Sequence, residues 1–299
     1  MKDYTPMINK WTLFLATYLS LSYQIMRLPI MSPLPTSSTT SDSSSKNLYR
    51  SLMLGTSLGL MALTFSQTAA AITTKNVTYK VDDQVYEGYY AKADKPNAPF
   101  ILLIHDWDGL TDYERKRADM LATEGYNVLA ADMFGQGIHP TSIEENKRLT
   151  GALYDDRSKM RRLLQGALNA GRLQGNDVRK GTTMGYCFGG TVALELARSG
   201  FPQKAFVPFH GAFDIPTGQS YDNTTGEILV FHGSADESVS LESFATLGKT
   251  LETAKVPHEM VTYSGAPHAF SVFGSDRYDK RADERSWKRY LDFLAEEYK

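Results

Sequence analysis

One hexapeptide decides the fold of this chain: Gly185-Tyr186-Cys187-Phe188-Gly189-Gly190. The β-prone residues 182–184 precede it, and residues 191–197 follow it with the apolar spacing of a helix. The motif therefore predicts a strand–turn–helix corner that carries Cys187, the single cysteine, as a nucleophile. Such a corner brings backbone close to backbone, so glycines must flank the nucleophile, as in the G-x-nucleophile-x-G elbow. The start of the following helix is expected to favour a thiolate there.

The same six residues have an alternative interpretation, a buried cysteine beside glycines that only pack a helix, because short motifs also occur by chance. The rest of the chain favours the corner, since its pattern alternates strands and helices. Predicted strands cover 76–81, 84–91, 100–104, 127–134, 182–184, 205–210, 228–232 and 259–263, and predicted helices cover 111–124, 144–173 (one helix or two), 191–197, 241–254 and 279–298. This order predicts an α/β fold with a mostly parallel central sheet and helices on both faces.

Composition excludes several classes of function. A net charge of −2 gives no electrostatic footprint for nucleic acid. A single cysteine rules out an internal disulfide and a cysteine-rich zinc or iron–sulfur site. A metal site built from His105, Asp106 and His232 is a weaker alternative, because the H-E-x-x-H spacing is missing. We therefore expect no cofactor and no metal.

Residues 1–71 form a predicted N-terminal targeting region. A basic flank with Lys46 and Arg50 precedes an apolar run at 52–65, and an A-x-A site ends at Ala71. This layout is that of a secretory signal peptide. The apolar run is shorter than the roughly 20 residues that a spanning helix needs, which disfavours a membrane anchor. We expect cleavage near Ala71 and a secreted or periplasmic product with no membrane attachment.

The segment before this signal has a different composition. Residues 11–26 are apolar and uncharged, and residues 32–46 are rich in Ser, Thr and Pro. A polar tract of this kind is expected to be disordered because it has little apolar surface to bury. The first apolar stretch is either an anchor or residues translated upstream of the biological start. The domain predicted to carry the function is residues 72–299.

Two further polar residues follow predicted strands and face the same rim as Cys187. Asp236 comes after the strand at 228–232, and His268 comes after the strand at 259–263. Ligands of parallel sheets bind beyond the carboxyl ends of the strands, so these side chains are expected to meet. Their order along the chain, nucleophile, acid and histidine, is that of the α/β-hydrolases. Alone, each would be a turn aspartate or a structural histidine; together they predict a catalytic triad.

Each member of the triad has a chemical reason to be there. A thiol near its ordinary pKa is only slightly ionised at neutral pH, so His268 would take its proton and later deliver it to a leaving group. Asp236 would hold the imidazole tautomer. The oxyanion needs two backbone donors, predicted as the N–H groups of Phe188 and Trp107; the latter lies in the turn after the strand at 100–104.

At this point the chain resembles the dienelactone hydrolases. The resemblance covers the chain from about Val77 to the last helix, and its residues are the elbow at 185–190, Asp236, His268, and the stretches 105–126 and 131–135. It implies an α/β-hydrolase fold and the hydrolysis of a small ester or lactone through an acyl-cysteine intermediate. The oligomeric state stays open.

Two departures from the family concern the thiol and the substrate. The family's glutamate that pairs with the resting thiol is replaced by Asp106, one methylene shorter. The arginine that clamps a substrate carboxylate shortly after the histidine is missing at residues 269–272. The sequence thus predicts an apolar or neutral acyl group in a pocket lined by Phe270 and Val272 beside Trp107. Ordinary core packing is the alternative for these side chains.

Two other functions remain open from the sequence. A non-catalytic protein could keep the fold to bind a ligand, although binding does not need all three triad residues. Cys187 could instead serve in thiol acyl transfer or in redox chemistry. The absence of a second cysteine to resolve a disulfide disfavours the redox role.

Overall fold

The computed structural model describes residues 71–299, so the predicted targeting region, Ala71 excepted, lies outside the described residues. The strands are β1 (Thr73–Val81), β2 (Gln84–Lys92), β3 (Phe100–Ile104), β4 (Asn127–Ala131), β5 (Thr182–Tyr186), β6 (Ala205–Phe209), β7 (Glu227–Gly233) and β8 (His258–Tyr263). The helices are α1 (Asp112–Thr123), α2 (Ile143–Asp155), α3 (Arg157–Leu173), α4 (Phe188–Arg198), α5 (Leu241–Ala254) and α6 (Lys280–Glu297). Within residues 71–299, none of these helices combines the length and apolar character needed to cross a bilayer.

All eight strands form one sheet in the order β1-β2-β4-β3-β5-β6-β7-β8. The β1–β2 and β2–β4 pairs are antiparallel, and every pair from β4 through β8 is parallel. The mostly parallel sheet is therefore confirmed, and its first two strands form an antiparallel hairpin. The carboxyl ends of β3, β5, β7 and β8 lie along one edge, which is where the chain carries its reactive side chains.

Helices cover both faces of the sheet, and the two faces have separate hydrophobic cores. Leu102 and Ile104 of β3 pack in one core with side chains of α2, α3, α4 and α5. Ile101 and Leu103 pack in the other with α1 and α6. Because successive side chains of a strand point to opposite faces, a strand buried on both faces is apolar throughout, as β3 is.

Local contacts set one strand end that differs from the prediction and divide the helical region 144–173, which the sequence left open as one helix or two. Strand β4 ends at Ala131, not at Phe134, because the Asp132 carboxylate accepts hydrogen bonds from the N–H groups of Phe134 (2.8 Å) and Gly135 (2.9 Å) and turns the chain. The region 144–173 is two helices, because Asp156 ends α2 and then caps α3 by accepting from the Lys159 amide at 2.8 Å.

The turn that leads into α1 is held by a buried carboxylate. Thr111 is the N-cap of α1, and it forms a capping box with Glu114. The Glu114 carboxylate also accepts a hydrogen bond from the Asp106 amide at 3.2 Å. Glu114 therefore ties the start of α1 to the loop after β3, which fixes the backbone around Asp106 and Trp107.

Candidate active site

Cys187 occupies a strained corner between β5 and α4. Its backbone takes a φ of 47°, in the left-handed region. A Cβ on Gly185 would lie 2.3 Å from the carbonyl carbon of Gly189, and one on Gly189 would lie 2.3 Å from the carbonyl oxygen of Ile104. Both positions thus require glycine, as the elbow motif predicts, and the corner projects the thiol over the edge of the sheet.

The three side chains predicted as a triad lie in a row. The Nε2 atom of His268 lies 3.1 Å from the Sγ atom of Cys187, and its Nδ1 atom lies 2.8 Å from Oδ2 of Asp236. The other carboxylate oxygen of Asp236 accepts from the amides of Ser238 (2.8 Å) and Val239 (2.9 Å). Burial alone would raise the pKa of Asp236, but the His268 ring and these two amides outweigh it and lower that pKa. Asp236 is thus a fixed carboxylate that orients the imidazole.

The thiol itself is held in its protonated form. Burial raises the pKa of Cys187 well above its usual range, the Asp106 carboxylate raises it further, and the Phe188 amide opposes the shift. The expected effect of the helix start, which favours a thiolate, is present but is outweighed in the resting state. The α4 N-terminus does act on the sulfur, through the Phe188 N–H, but desolvation and a neighbouring negative charge dominate.

Asp106 acts on the thiol despite its short side chain. It lines the same cavity as Cys187 and raises the pKa of the thiol, and its Oδ1 accepts from the Trp107 amide at 2.5 Å. Burial raises the pKa of Asp106 to about 6, against the lowering effect of the Trp107 amide. The Trp107 N–H, predicted as an oxyanion donor, is therefore occupied by Asp106 in this structure.

A cavity of about 280 Å³ opens on the thiol. Its lining residues are Asp106, Trp107, Tyr154, Cys187, Thr191, Ala212, Ser238, Val239, His268, Ala269 and Arg277. Sequence reasoning missed Tyr154 of α2 and Arg277 of the loop before α6, because nothing in the local pattern brings either segment to this edge. Arg277 supplies the only cation in this lining other than a protonated histidine.

The two side chains predicted to line the pocket do not do so. Ala269 has a left-handed φ of 60°, and the chain then turns inward. Phe270 is fully buried in the core on the α1 and α6 side, with its ring centroid 5.5 Å from that of His210 and 5.6 Å from that of Tyr263. Val272 is half-buried outside the cavity. Core packing is therefore the role of Phe270.

A second histidine, which sequence reasoning treated only as the end of a strand, touches the nucleophile. His210 is fully buried; its Nδ1 accepts a hydrogen bond from the Cys187 amide at 3.1 Å, and its Nε2 lies 2.9 Å from Oγ of Ser271. Burial and the neighbouring His268 lower the pKa of His210 well below its usual range. The sequence signal that could have identified His210 is its position directly after β6, at the same edge of the sheet as the three predicted triad residues.

His105 and His232, the two strand-end histidines considered as metal ligands, make other contacts. His105 accepts from the Met133 amide through Nε2 at 3.1 Å, and His232 packs between the rings of Phe213 and Phe244. Among residues 71–299, no group of three or more His, Cys, Asp or Glu side chains is placed to hold a metal ion.

Comparisons with known proteins show the family and the fold of this chain. The model of the dienelactone hydrolase family matches residues 86–298. A carboxymethylenebutenolidase of Rhodococcus opacus is 24% identical over 220 residues, which cover 69% of this chain and 84% of that protein. The crystal structure of a dienelactone hydrolase-like promiscuous phosphotriesterase from metagenomic libraries is 30% identical, with a TM-score of 0.71 over 76% of this chain and 98% of that one. A Thermogutta terrifontis esterase, 20% identical with a TM-score of 0.54 over 77% of this chain and 92% of that one, shares the fold.

Proposed function

Because this chain belongs to the dienelactone hydrolase family and is a hydrolase of the ester and lactone type, we propose that it acts through an acyl-cysteine intermediate on Cys187. One geometric observation is the main support for this proposal. The His268 ring bridges the thiol at 3.1 Å and the Asp236 carboxylate at 2.8 Å, so that a base is in place to take the thiol proton. A binding protein would have no need of this alignment.

The first half of the reaction forms a thioester. His268 Nε2 takes the thiol proton as the sulfur attacks the carbonyl carbon of the substrate, and the electron pair of the C=O bond moves to oxygen. The resulting oxyanion is stabilised by backbone N–H donors. Collapse of this intermediate breaks the C–O bond, and His268 protonates the departing alkoxide. Asp236 stabilises the imidazolium in between without taking its proton.

The second half releases the acid. A water molecule gives a proton to His268 while its oxygen attacks the thioester carbonyl. The C–S bond then breaks, and the sulfur recovers the proton from His268. No redox partner or cofactor takes part in either half of the reaction.

Asp106 has to leave the Trp107 amide before that amide can serve the oxyanion. In the resting structure the carboxylate accepts the Trp107 N–H at 2.5 Å and raises the pKa of the thiol. A substrate carbonyl oxygen that enters this position displaces the carboxylate and removes the negative charge from the sulfur. Substrate binding and activation of the nucleophile are thereby coupled.

The cavity limits the size of the acyl group. Its volume of about 280 Å³ lies at the lower end of the range for ligand pockets. We therefore expect a short acyl chain or a small lactone ring. The walls beside the sulfur, Trp107, Tyr154 and Val239, suit a neutral acyl group, while Arg277 at the exposed end could contact a charged one.

The proposal is tested by intact-protein mass spectrometry after brief mixing with p-nitrophenyl acetate, butyrate and octanoate. We expect a burst of p-nitrophenol and an acyl adduct on Cys187 with the two short esters. The Cys187→Ala variant should lose both, whereas Glu237→Gln, an exposed neighbour of Asp236, should keep both. Turnover that survives in Cys187→Ala would overturn the proposal, and binding without turnover in the wild type would favour a ligand-binding protein.

A phosphotriester belongs in the same panel, because one similar structure is that of a promiscuous phosphotriesterase. Paraoxon would leave a phosphoryl adduct on Cys187 if the cavity admits a tetrahedral phosphorus. An adduct that forms with paraoxon and with none of the carboxylic esters would replace the ester hydrolase proposal.

We further propose that residues 1–71 are removed on export and that residues 72–299 form the mature secreted or periplasmic enzyme. The A-x-A site at residues 69–71 and the basic flank before the apolar run support this. N-terminal sequencing of the protein purified from its native source tests it. A chain that starts near Met1 would contradict export by this route.

A further inference from the structure

His210, a buried ionisable side chain, contacts both halves of the candidate active site and has no part in the proposed reaction. Through Nδ1 it accepts from the backbone amide of Cys187, the nucleophile. Through Nε2 it meets Oγ of Ser271, three residues beyond His268 on the same loop. The His210 ring also stands edge-on to the His268 ring, with centroids 5.3 Å apart. It thus connects two segments that are distant in sequence.

The partners of His210 determine its tautomer. A backbone amide can only donate, so Nδ1 must be the unprotonated acceptor towards Cys187. In the neutral ring the proton is then on Nε2, which donates to the Ser271 hydroxyl oxygen. Burial among Tyr186, Phe270 and His268 disfavours the charged ring. The bond to Cys187 is therefore kept across the physiological pH range.

Ser271 is itself a fixed anchor. Its hydroxyl lies 3.0 Å from the Tyr113 hydroxyl, and its carbonyl oxygen accepts from Nη2 of Arg117 at 2.8 Å. Arg117 is buried, forms an ion pair with Asp283 of α6, and has its guanidinium 4.1 Å from the centre of the Phe273 ring. The loop that carries His268 is therefore fastened to α1 and α6, and His210 connects the nucleophile to that fastened loop.

We propose that His210 is a positioning residue, which holds the backbone of Cys187 against the His268 loop and so sets the approach of the sulfur to the imidazole. This inference rests on the proposed function, because it assigns His210 a role in the same reaction. The Cys187 amide is shared between His210 and the Phe209 carbonyl oxygen, the latter at 2.9 Å. Without the His210 ring, the Cys187 amide would keep its hydrogen bond to the Phe209 carbonyl oxygen but would be free to change its orientation. A displacement of about 1 Å in such a site can cost on the order of 100-fold in rate.

Two substitutions of His210 distinguish the role of its Nδ1 acceptor from the role of the rest of the imidazole ring. In His210→Asn the side-chain oxygen can occupy the place of Nδ1, and asparagine tolerates the left-handed φ of 40° found here. In His210→Gln the longer amide reaches towards Ser271 instead. We expect the acylation rate constant to fall by about 10- to 100-fold in His210→Gln, with KM within about threefold, and by no more than about fivefold in His210→Asn.

The control variant is His258→Asn, which replaces a histidine at the start of β8, away from this edge, and should acylate at the wild-type rate. Thermal unfolding of each variant reports on folding. An equal loss in His210→Asn and His210→Gln, or no loss in either, would overturn the positioning role.

A measurement on the unaltered protein keeps the test independent of folding and of activity. Nitrogen-15 NMR of the histidine rings should show His210 as a neutral Nε2–H tautomer that does not titrate between pH 5 and 8. An Nδ1–H tautomer or a protonated ring would overturn the proposal.

The experiment also separates the failure of this inference from the failure of the proposed function. If the wild type forms no adduct with any ester, the hydrolase mechanism fails, and the role of His210 is then read from alkylation of Cys187 by iodoacetamide. At pH 7, slower alkylation in His210→Gln than in His210→Asn would support the role. Equal rates in these two variants would refute it.

Discussion

The carboxylate of Asp106 accepts a 2.5 Å hydrogen bond from the Trp107 amide, the proposed oxyanion donor in the turn after β3. The same carboxylate lines the cavity beside the Cys187 thiol and raises the pKa of that thiol. A negative charge therefore occupies the resting site at the place where a reaction intermediate would develop one. Burial raises the pKa of the thiol most and the Asp106 charge raises it further, so removal of that charge is the step by which we expect the thiol to become reactive.

Removal of the Asp106 charge should make the resting thiol more reactive. The carboxylate raises the pKa of Cys187, so that Asp106→Ala should lower it and increase the thiolate fraction at pH 7. Each unit by which the pKa of the thiol falls raises the thiolate fraction about tenfold. The rate of alkylation by iodoacetamide, followed by mass spectrometry, measures the effect. Asp276→Ala, on an exposed loop, is the control, and an unchanged rate in Asp106→Ala would contradict this account.

The buried Asp106 should also make stability depend on pH. Its folded pKa of about 6 lies above the ordinary value of 3.8, so its contribution to stability is fully present below pH 3.8 and is lost as the pH rises through 6. Asp106→Asn abolishes this loss. Relative to the wild type, the variant should gain up to about 3 kcal/mol in unfolding free energy between pH 4 and pH 7. Urea unfolding at several pH values measures it, and a difference that does not vary with pH would refute the prediction.

The Asp236–His268 contact should matter for rate much more than for folding. Asp236→Asn keeps the shape but can stabilise the wrong imidazole tautomer and no longer balances the imidazolium. Ester hydrolysis should fall by about 10³- to 10⁴-fold in kcat, by analogy with other triads. Glu237→Gln, one residue away and exposed, should retain wild-type kinetics. A loss below tenfold in Asp236→Asn would show that the carboxylate does not orient the base.

The elbow glycine should be intolerant of even one methyl group. In Gly185→Ala the new Cβ would lie 2.3 Å from the Gly189 backbone, which has no room to move in the packed corner. We expect a loss of about 3 kcal/mol or more in stability. Gly151→Ala, inside α2 with no atom within 4 Å of the new Cβ, should instead stabilise the protein by about 0.5–1 kcal/mol. Chemical denaturation of both variants decides the matter.

Arg277 should discriminate between substrates by charge. It lines the cavity from an exposed loop, so it can meet the far end of an acyl group. Arg277→Met should lower kcat/KM for a p-nitrophenyl ester of succinate by about 5- to 20-fold, because a charged hydrogen bond is lost. For the neutral butyrate ester, kcat/KM should change less than twofold. Equal changes for both esters would mean that Arg277 only shapes the entrance.

The order of the strands and helices, and several of their bounds, followed from sequence periodicity, because burial on one or both faces imposes that periodicity. Strand β3 at Phe100–Ile104 and helix α5 at Leu241–Ala254 lie at their predicted bounds. The triad residues could be chosen without coordinates, because parallel strands bring their carboxyl ends to one edge. The glycines of the elbow could also be assigned, since a tight backbone corner permits no side chain there.

Distances and burial across the edge were decided only by the tertiary structure. Sequence patterns record which face a side chain prefers, but they do not record how far apart two loops lie after packing. Hence Tyr154 and Arg277 in the cavity, the inward turn of Phe270 and the bond from His210 to the nucleophile were not predictable. The protonated thiol has the same origin, because a pKa depends on the water and charge that packing leaves around the sulfur.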